Sequence, residues 1–170
     1  SRILRGRNEF LAEEARQAIE QISDPEATAE IQRAIRSSSD REERRILIRT
    51  LANRKDPTLI DYFIEGLKSS DVVLAEESIY ALAKLGSIEA DNALENAYLK
   101  SSDSELKWEL ERAVVAAAGT NESTLVSIQK SGTVANRQAA LTRLVEADNA
   151  DSTNLLKLSL LDSDTHIRAT

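Results

Sequence analysis

The chain has 170 residues, 41% hydrophobic and 30% charged, with 29 Asp and Glu against 22 Lys and Arg for a formal net charge of -7, a composition that fits one moderately acidic globular domain. With no Cys it can form neither disulfides nor thiol nucleophiles nor zinc or iron–sulfur sites, and its single His, His166, cannot build a multi-histidine metal site or a hydrolytic triad. The acid excess opposes the phosphate backbone and no apolar run reaches the roughly 18–20 residues of a membrane span, so neither a nucleic-acid partner nor membrane insertion of this segment is expected, and the compartment stays open.

Short polar breaks punctuate the chain. Those at Ser37-Ser38-Ser39-Asp40, Ser69-Ser70-Asp71, Ser101-Ser102-Asp103, Ser131-Gly132-Thr133 and Asp162-Ser163-Asp164 end at intervals of 31, 32, 30 and 31 residues. A fixed period of this size is the signature of a repeat architecture. In chain order, a first helix from Asn8 carries Leu11, Ala15, Ile19 and Ile22 on one face, and Ser23-Asp24-Pro25 then supplies the cap and first-turn proline of a second. After Asp40 comes a highly charged helix, followed by an apolar pattern from Pro57 to Lys68 with Leu59, Ile60, Phe63, Ile64 and Leu67. Beyond Asp71, Leu74, Ser78, Ala81, Leu82 and Leu85 share a face, and a second pattern runs from Glu89 to Lys100 with Leu94, Ala97 and Tyr98. Leu106, Leu110, Ala113, Val114 and Ala117 repeat the first-helix spacing after Asp103. Gly86 and Gly119 stand where a left-handed helix stop is wanted.

No sustained β alternation and no Asn-Gly or Asp-Gly hairpin turn occurs. The expectation is therefore all-α, one domain over residues 1–170 made of about five helix pairs at 8–38, 40–69, 71–101, 103–131 and 133–162. Residues 163–170 read as the start of a further helix, and with no Met anywhere the chain is expected to be a piece of a longer protein.

Leu67-Lys68-Ser69-Ser70-Asp71-Val72-Val73-Leu74, running on to Ala81-Leu82-Ala83-Lys84-Leu85-Gly86, and Leu161-Asp162-Ser163-Asp164-Thr165-His166-Ile167-Arg168 resemble the short HEAT-like repeat, the type also found in phycobilin lyase subunits. The resemblance implies a right-handed α-solenoid whose concave wall comes from the second helices. It also implies a ladder of Asp–Arg hydrogen bonds between neighbouring repeats. Here the Asp position holds Ser38, Ser69, Ser101, Ser131 and Asp162, and the Arg position holds Arg44, Ala75, Lys107, Arg137 and Arg168. Hydrogen bonds with an ionised partner are about twice as strong as neutral ones, so looser coupling between repeats is expected.

On the second helices the common register sets Asp61, Asn92 and Ser123 in one row and Glu65, Asn96, Ser127 and Lys157 in a parallel one, with Tyr62 beside them. These small polar groups suit hydrogen bonding to a peptide or protein surface; a plain solvated helix face has the same character. Trp108 lies opposite the apolar stripe of its helix and either anchors a partner or packs against a neighbouring first helix. Arg41, Arg44, Arg45 and Arg49 form a basic patch that is either a solvated, internally paired face or a dock for an acidic partner or phosphate. Adjacent carboxylates such as Glu42-Glu43 and Glu76-Glu77 do not face one another across a cleft, so no acid–base pair, catalytic residue, metal site or cofactor is expected. The reading is a non-catalytic protein- or peptide-binding scaffold or regulatory domain using the concave face, with the oligomeric state open and a monomer favoured. The alternative is a phycobilin lyase-like subunit handling a tetrapyrrole on an antenna protein, which rests on repeat type alone and is opposed by the low aromatic content.

Overall fold

The helices start where the polar breaks end because Asp40, Asp71, Asp103 and Thr133, the last residues of four of the breaks, are side-chain acceptors for free N–H groups of a first helical turn. The computed structural model describes residues 14, 16, 18, 20–22, 24–146, 157 and 159–168. Glu42 and Glu43 N–H donate to the Asp40 carboxylate at 2.8 and 2.9 Å, and Glu105 and Leu106 N–H donate to Asp103 at 2.9 and 3.0 Å. Asp24, Asp56 and Ser87 cap in the same way. Each such cap stabilises its helix by about 1 kcal/mol.

The chain divides into two compact units, Ser1–Leu85 and Gly86–Thr170. In the first, α1 (Pro25–Ser37) is followed by α2 (Arg41–Asn53), a 3-10 turn at Pro57–Leu59 that leads into α3 (Ile60–Gly66), and α4 (Val72–Leu85). α1 packs on α2, while α2 and α3 both pack on α4. Ile31, Ile35, Ile48, Leu51, Phe63, Ile79 and Leu82 form the core between them. The second unit holds α5 (Ile88–Lys100), α6 (Ser104–Ala116), α7 (Glu122–Ser131), α8 (Val134–Glu146) and α9 (Thr165–Arg168). There α5 packs on α6, α6 and α7 on α8, and α9 on α8. Its core is Leu94, Tyr98, Leu110, Val114, Ile128, Leu141, Leu144 and Ile167.

The same rule operates in both units: a first helix lies against the next first helix, and each second helix is covered by the first helix of the repeat that follows. This is the packing of an all-α, HEAT-type solenoid, and no strand occurs among the described residues. The expected helix over Asn8–Ile22 is represented by helical residues 14, 16, 18, 20 and 21, while Leu11, Ala15 and Ile19 lie outside the described residues. Most of the second helix of the repeat at 133–162 also lies outside them. No helix among the described residues is long and apolar enough to cross a membrane.

Two local expectations need correction. The second helix expected from Pro57 opens as a 3-10 turn and becomes α-helical only at Ile60. Gly86 does adopt the left-handed conformation, with φ 59°, but among the described residues the other one that does so is Lys55 at φ 50°, not Gly119. Gly119 is small for a different reason: its N–H donates to Asp91 Oδ2 at 2.8 Å, and a Cβ would stand 2.9 Å from that oxygen.

Candidate functional site

In the first unit, α3 carries Asp61 and Glu65 on its exposed face, with Glu65 accepting from Lys68 Nζ at 2.7 Å. Tyr62 between them is half-buried and meets the Phe63 ring edge-on, centroids 5.4 Å apart. Burial pushes its phenol pKa up, while the nearby Arg36 and Arg44 guanidinium groups pull it back. In the second unit Asn92 and Asn96 are exposed on α5, Asn96 Nδ2 donating to the Asn92 carbonyl at 2.8 Å. Ser123 and Ser127 are exposed on α7, and Lys157 is exposed as well. Burial raises the phenol pKa of Tyr98 on α5, and the nearby Ser127 and Ser131 pull it back in part. Their opposite faces hold Ala90 and Leu94 on α5 and Leu125 and Ile128 on α7, all buried. The helical spacing thus turns the apolar side inward and leaves amides and hydroxyls outside.

The arginines of α2 are not a free basic surface. Arg44 pairs with Asp71, Arg41 lies 3.9 Å from Glu76, and Arg45 bonds Glu42, Glu76 and Glu77 at 3.2, 3.2 and 2.9 Å. Arg49 donates to Glu77 through Nε at 2.7 Å and Nη2 at 3.0 Å, bonds that raise its pKa above the ordinary value and keep it charged. Its guanidinium also lies over the Tyr80 ring at 5.4 Å. Trp108 is 46% exposed, with the Arg112 guanidinium over its ring at 5.4 Å.

Sequence reasoning missed a set of buried acids: Glu77, Asp91, Glu95 and Glu111. Glu95 accepts from Asn121 Nδ2 at 2.7 Å and from the Thr124 hydroxyl. Glu111 accepts from Thr133 N–H at 3.0 Å and Asn136 Nδ2 at 2.8 Å. Together with Asp91 on Gly119 and Glu77 on Arg45 and Arg49, they tie the repeat at 40–69 to that at 71–101, that one to the repeat at 103–131, and that in turn to the repeat at 133–162. The ladder that looked short of acceptors therefore has them, supplied from positions within the helices, while Arg137 still reaches Asp162 at 2.8 Å. The signal was present in Glu95 and Glu111, each beside a core leucine, Leu94 and Leu110, on an apolar stripe.

Paired helices stacked first helix on first helix and joined by buried polar groups define an α-helical repeat scaffold. Residues 30–115, half of the chain, match the family described as HEAT repeats, and the chain belongs to that family. No curated protein matches it.

Proposed function

We propose that this chain is a non-catalytic scaffold that binds a protein or peptide along the face of its second helices. The observation that carries the reading is the run of exposed, uncharged hydrogen-bonding groups on α5 and α7, Asn92, Asn96, Ser123 and Ser127, each on a helix whose other side is sealed in the core. Amides and hydroxyls are cheaper to strip of water than charges, and repeat proteins bind extended partners along such surfaces. In the first unit, taken by itself, the exposed side of α3 carries Asp61 and Glu65 flanking the amphipathic ring of Tyr62, the kind of group that anchors interfaces.

The test is affinity capture from cells of the source organism with wild-type protein beside a variant carrying Asp61→Arg, Tyr62→Ala and Asn96→Arg, with absorption spectra of the eluates. A protein retained by wild type and lost by the variant is the expected result. Capture that survives all three substitutions overturns the assignment of the face, and a coloured eluate replaces the scaffold reading with the tetrapyrrole one.

A further inference from the structure

The helix caps allow the two units to be compared position by position. Counting from Asp40 and Asp103, Arg45 of α2 corresponds to Trp108 of α6, Arg49 to Arg112, and Asn53 to Ala116. Counting from Asp71 and Thr133, Glu76 of α4 corresponds to Gln138 of α8, Glu77 to Ala139, and Tyr80 to Thr142. The pairing of registers is sound because the buried positions coincide: Ser78, Ile79 and Leu82 fall on Ala140, Leu141 and Leu144.

Between α2 and α4 the first-helix surface is filled by the chain's own side chains. Glu77 is 3% exposed beneath Arg45 and Arg49, and the Tyr80 ring lies under Arg49 and Lys84. Between α6 and α8 the corresponding carboxylates and ring are absent, and a groove of about 640 Å³ stands open there, floored by Val115, Ala116, Ala135 and Ala139. Its size falls in the range of ligand-binding clefts. The charged residues lining it are Arg112 and Arg143, and no carboxylate lines it. Arg143 donates to the carbonyls of Val115, Ala117 and Ala118 at 2.8, 2.5 and 3.3 Å, which locks a cation beside the groove. Arg112 keeps one short-range partner, Glu109 at 2.6 Å, but nothing on α8 replaces the buried carboxylate its counterpart Arg49 holds.

We propose that the groove between α6 and α8 is a docking site for an acidic, aromatic-bearing peptide segment of a partner protein, which supplies the carboxylate and the ring that Glu77 and Tyr80 supply in the first unit. The carboxylate meets Arg112 and the field of Arg143. The ring lies on the alanine floor, where small side chains leave room for it. In a chain with 29 acids against 22 bases, a groove lined by two arginines and no acid is a local reversal of sign, and complementary charge of this kind selects partners. The site is separate from the second-helix face.

Trp108, the chain's single tryptophan, lies under the guanidinium of Arg112, which lines the groove, and reports on it through that contact. The test is a titration of Trp108 emission with the acetylated peptide Asp-Phe-Asp-Glu-Phe-Asp and with its basic analogue Lys-Phe-Lys-Arg-Phe-Lys, using the full chain. Saturable change with the acidic peptide alone is expected, and Ala139→Glu, which restores a carboxylate at the Glu77 position, should weaken it at least about tenfold. Ala139 is exposed, so the variant's melting temperature should match wild type. The Asp61→Arg, Tyr62→Ala, Asn96→Arg variant should bind the peptide as wild type does, which keeps failure of one site distinct from failure of the other. Equal response to both peptides, unchanged binding by the Ala139→Glu variant, or no response at about 1 mM peptide overturns the proposal. So does a single-stranded oligonucleotide that gives the response the acidic peptide does not.

Discussion

Glu77 accepts three guanidinium hydrogen bonds while almost wholly out of water, so its removal leaves cations unpaired beside the α2–α4 seam. Breaking such a buried pair from one side costs about 3–5 kcal/mol, discounted here because Arg49 is half in solvent. Glu77→Ala is expected to lower stability by about 2–3 kcal/mol, read as a fall in the urea midpoint at unchanged slope. Arg41→Ala is the control. Its contact with Glu76 is long and exposed, and loss of such a surface pair should cost no more than about 0.5 kcal/mol. The sequence showed the charges of α2 but not their destination: Arg45 and Glu77 lie one repeat apart, and only packing of α2 on α4 reveals that they meet. The exposure of the Asn and Ser rows was legible because it follows directly from helical spacing, whereas the half-burial of Tyr62 against Phe63 depends on packing.

At the scale of elements, α3 approaches α4 through Gly66, where an added Cβ would lie 2.0 Å from the buried Ser78 Oγ. Gly66→Ala should therefore destabilise by about 1–3 kcal/mol through overpacking, whereas Ser78→Ala, which deletes a buried hydroxyl without a partner, should be neutral or stabilising. Combining the two should recover part of the loss, since the clashing oxygen is gone; a thermal melt of the double variant no better than Gly66→Ala alone would contradict this. The α3 entry also titrates. Asp56 accepts from the Thr58 hydroxyl and N–H at 2.7 and 2.9 Å, which holds its carboxyl below the ordinary carboxylate range. A depressed folded pKa means stabilisation present at neutral pH and lost as pH falls below about 4. Asp56→Ala should thus cost about 0.5–1 kcal/mol at pH 7 and progressively less as the pH falls below about 4, as measured by urea unfolding over that range. Helix starts were legible because Asp and Ser caps are local chemistry. The 3-10 opening at Pro57 and the left-handed Lys55 were not, because they depend on how the chain must turn to bring α3 against α4.

For the molecule as a whole, the period of about 31 residues made helix pairs and their stacking readable, but the polar groups that join one repeat to the next were hidden inside helices. Those joints are short-range in sequence, as in other repeat proteins, where stability is a sum of repeat and nearest-neighbour terms. The Glu95 joint gives a test of that locality. Its carboxylate serves Asn121 N–H at 3.4 Å, Asn121 Nδ2 at 2.7 Å and the Thr124 hydroxyl, all at the start of α7. In Glu95→Ala those donors lose their acceptor, a cost of about 1–3 kcal/mol, concentrated on α7 rather than spread over the chain. Amide hydrogen exchange should accelerate through residues 121–131, by about tenfold for each 1.4 kcal/mol lost, while the amides of α2 and α4 keep their wild-type rates. Uniform acceleration across both units would instead mean that the chain unfolds as a single cooperative body. In that case a partner engaging the α6–α8 groove would stabilise α2 as much as α8, whereas nearest-neighbour coupling confines the protection it confers to the second unit.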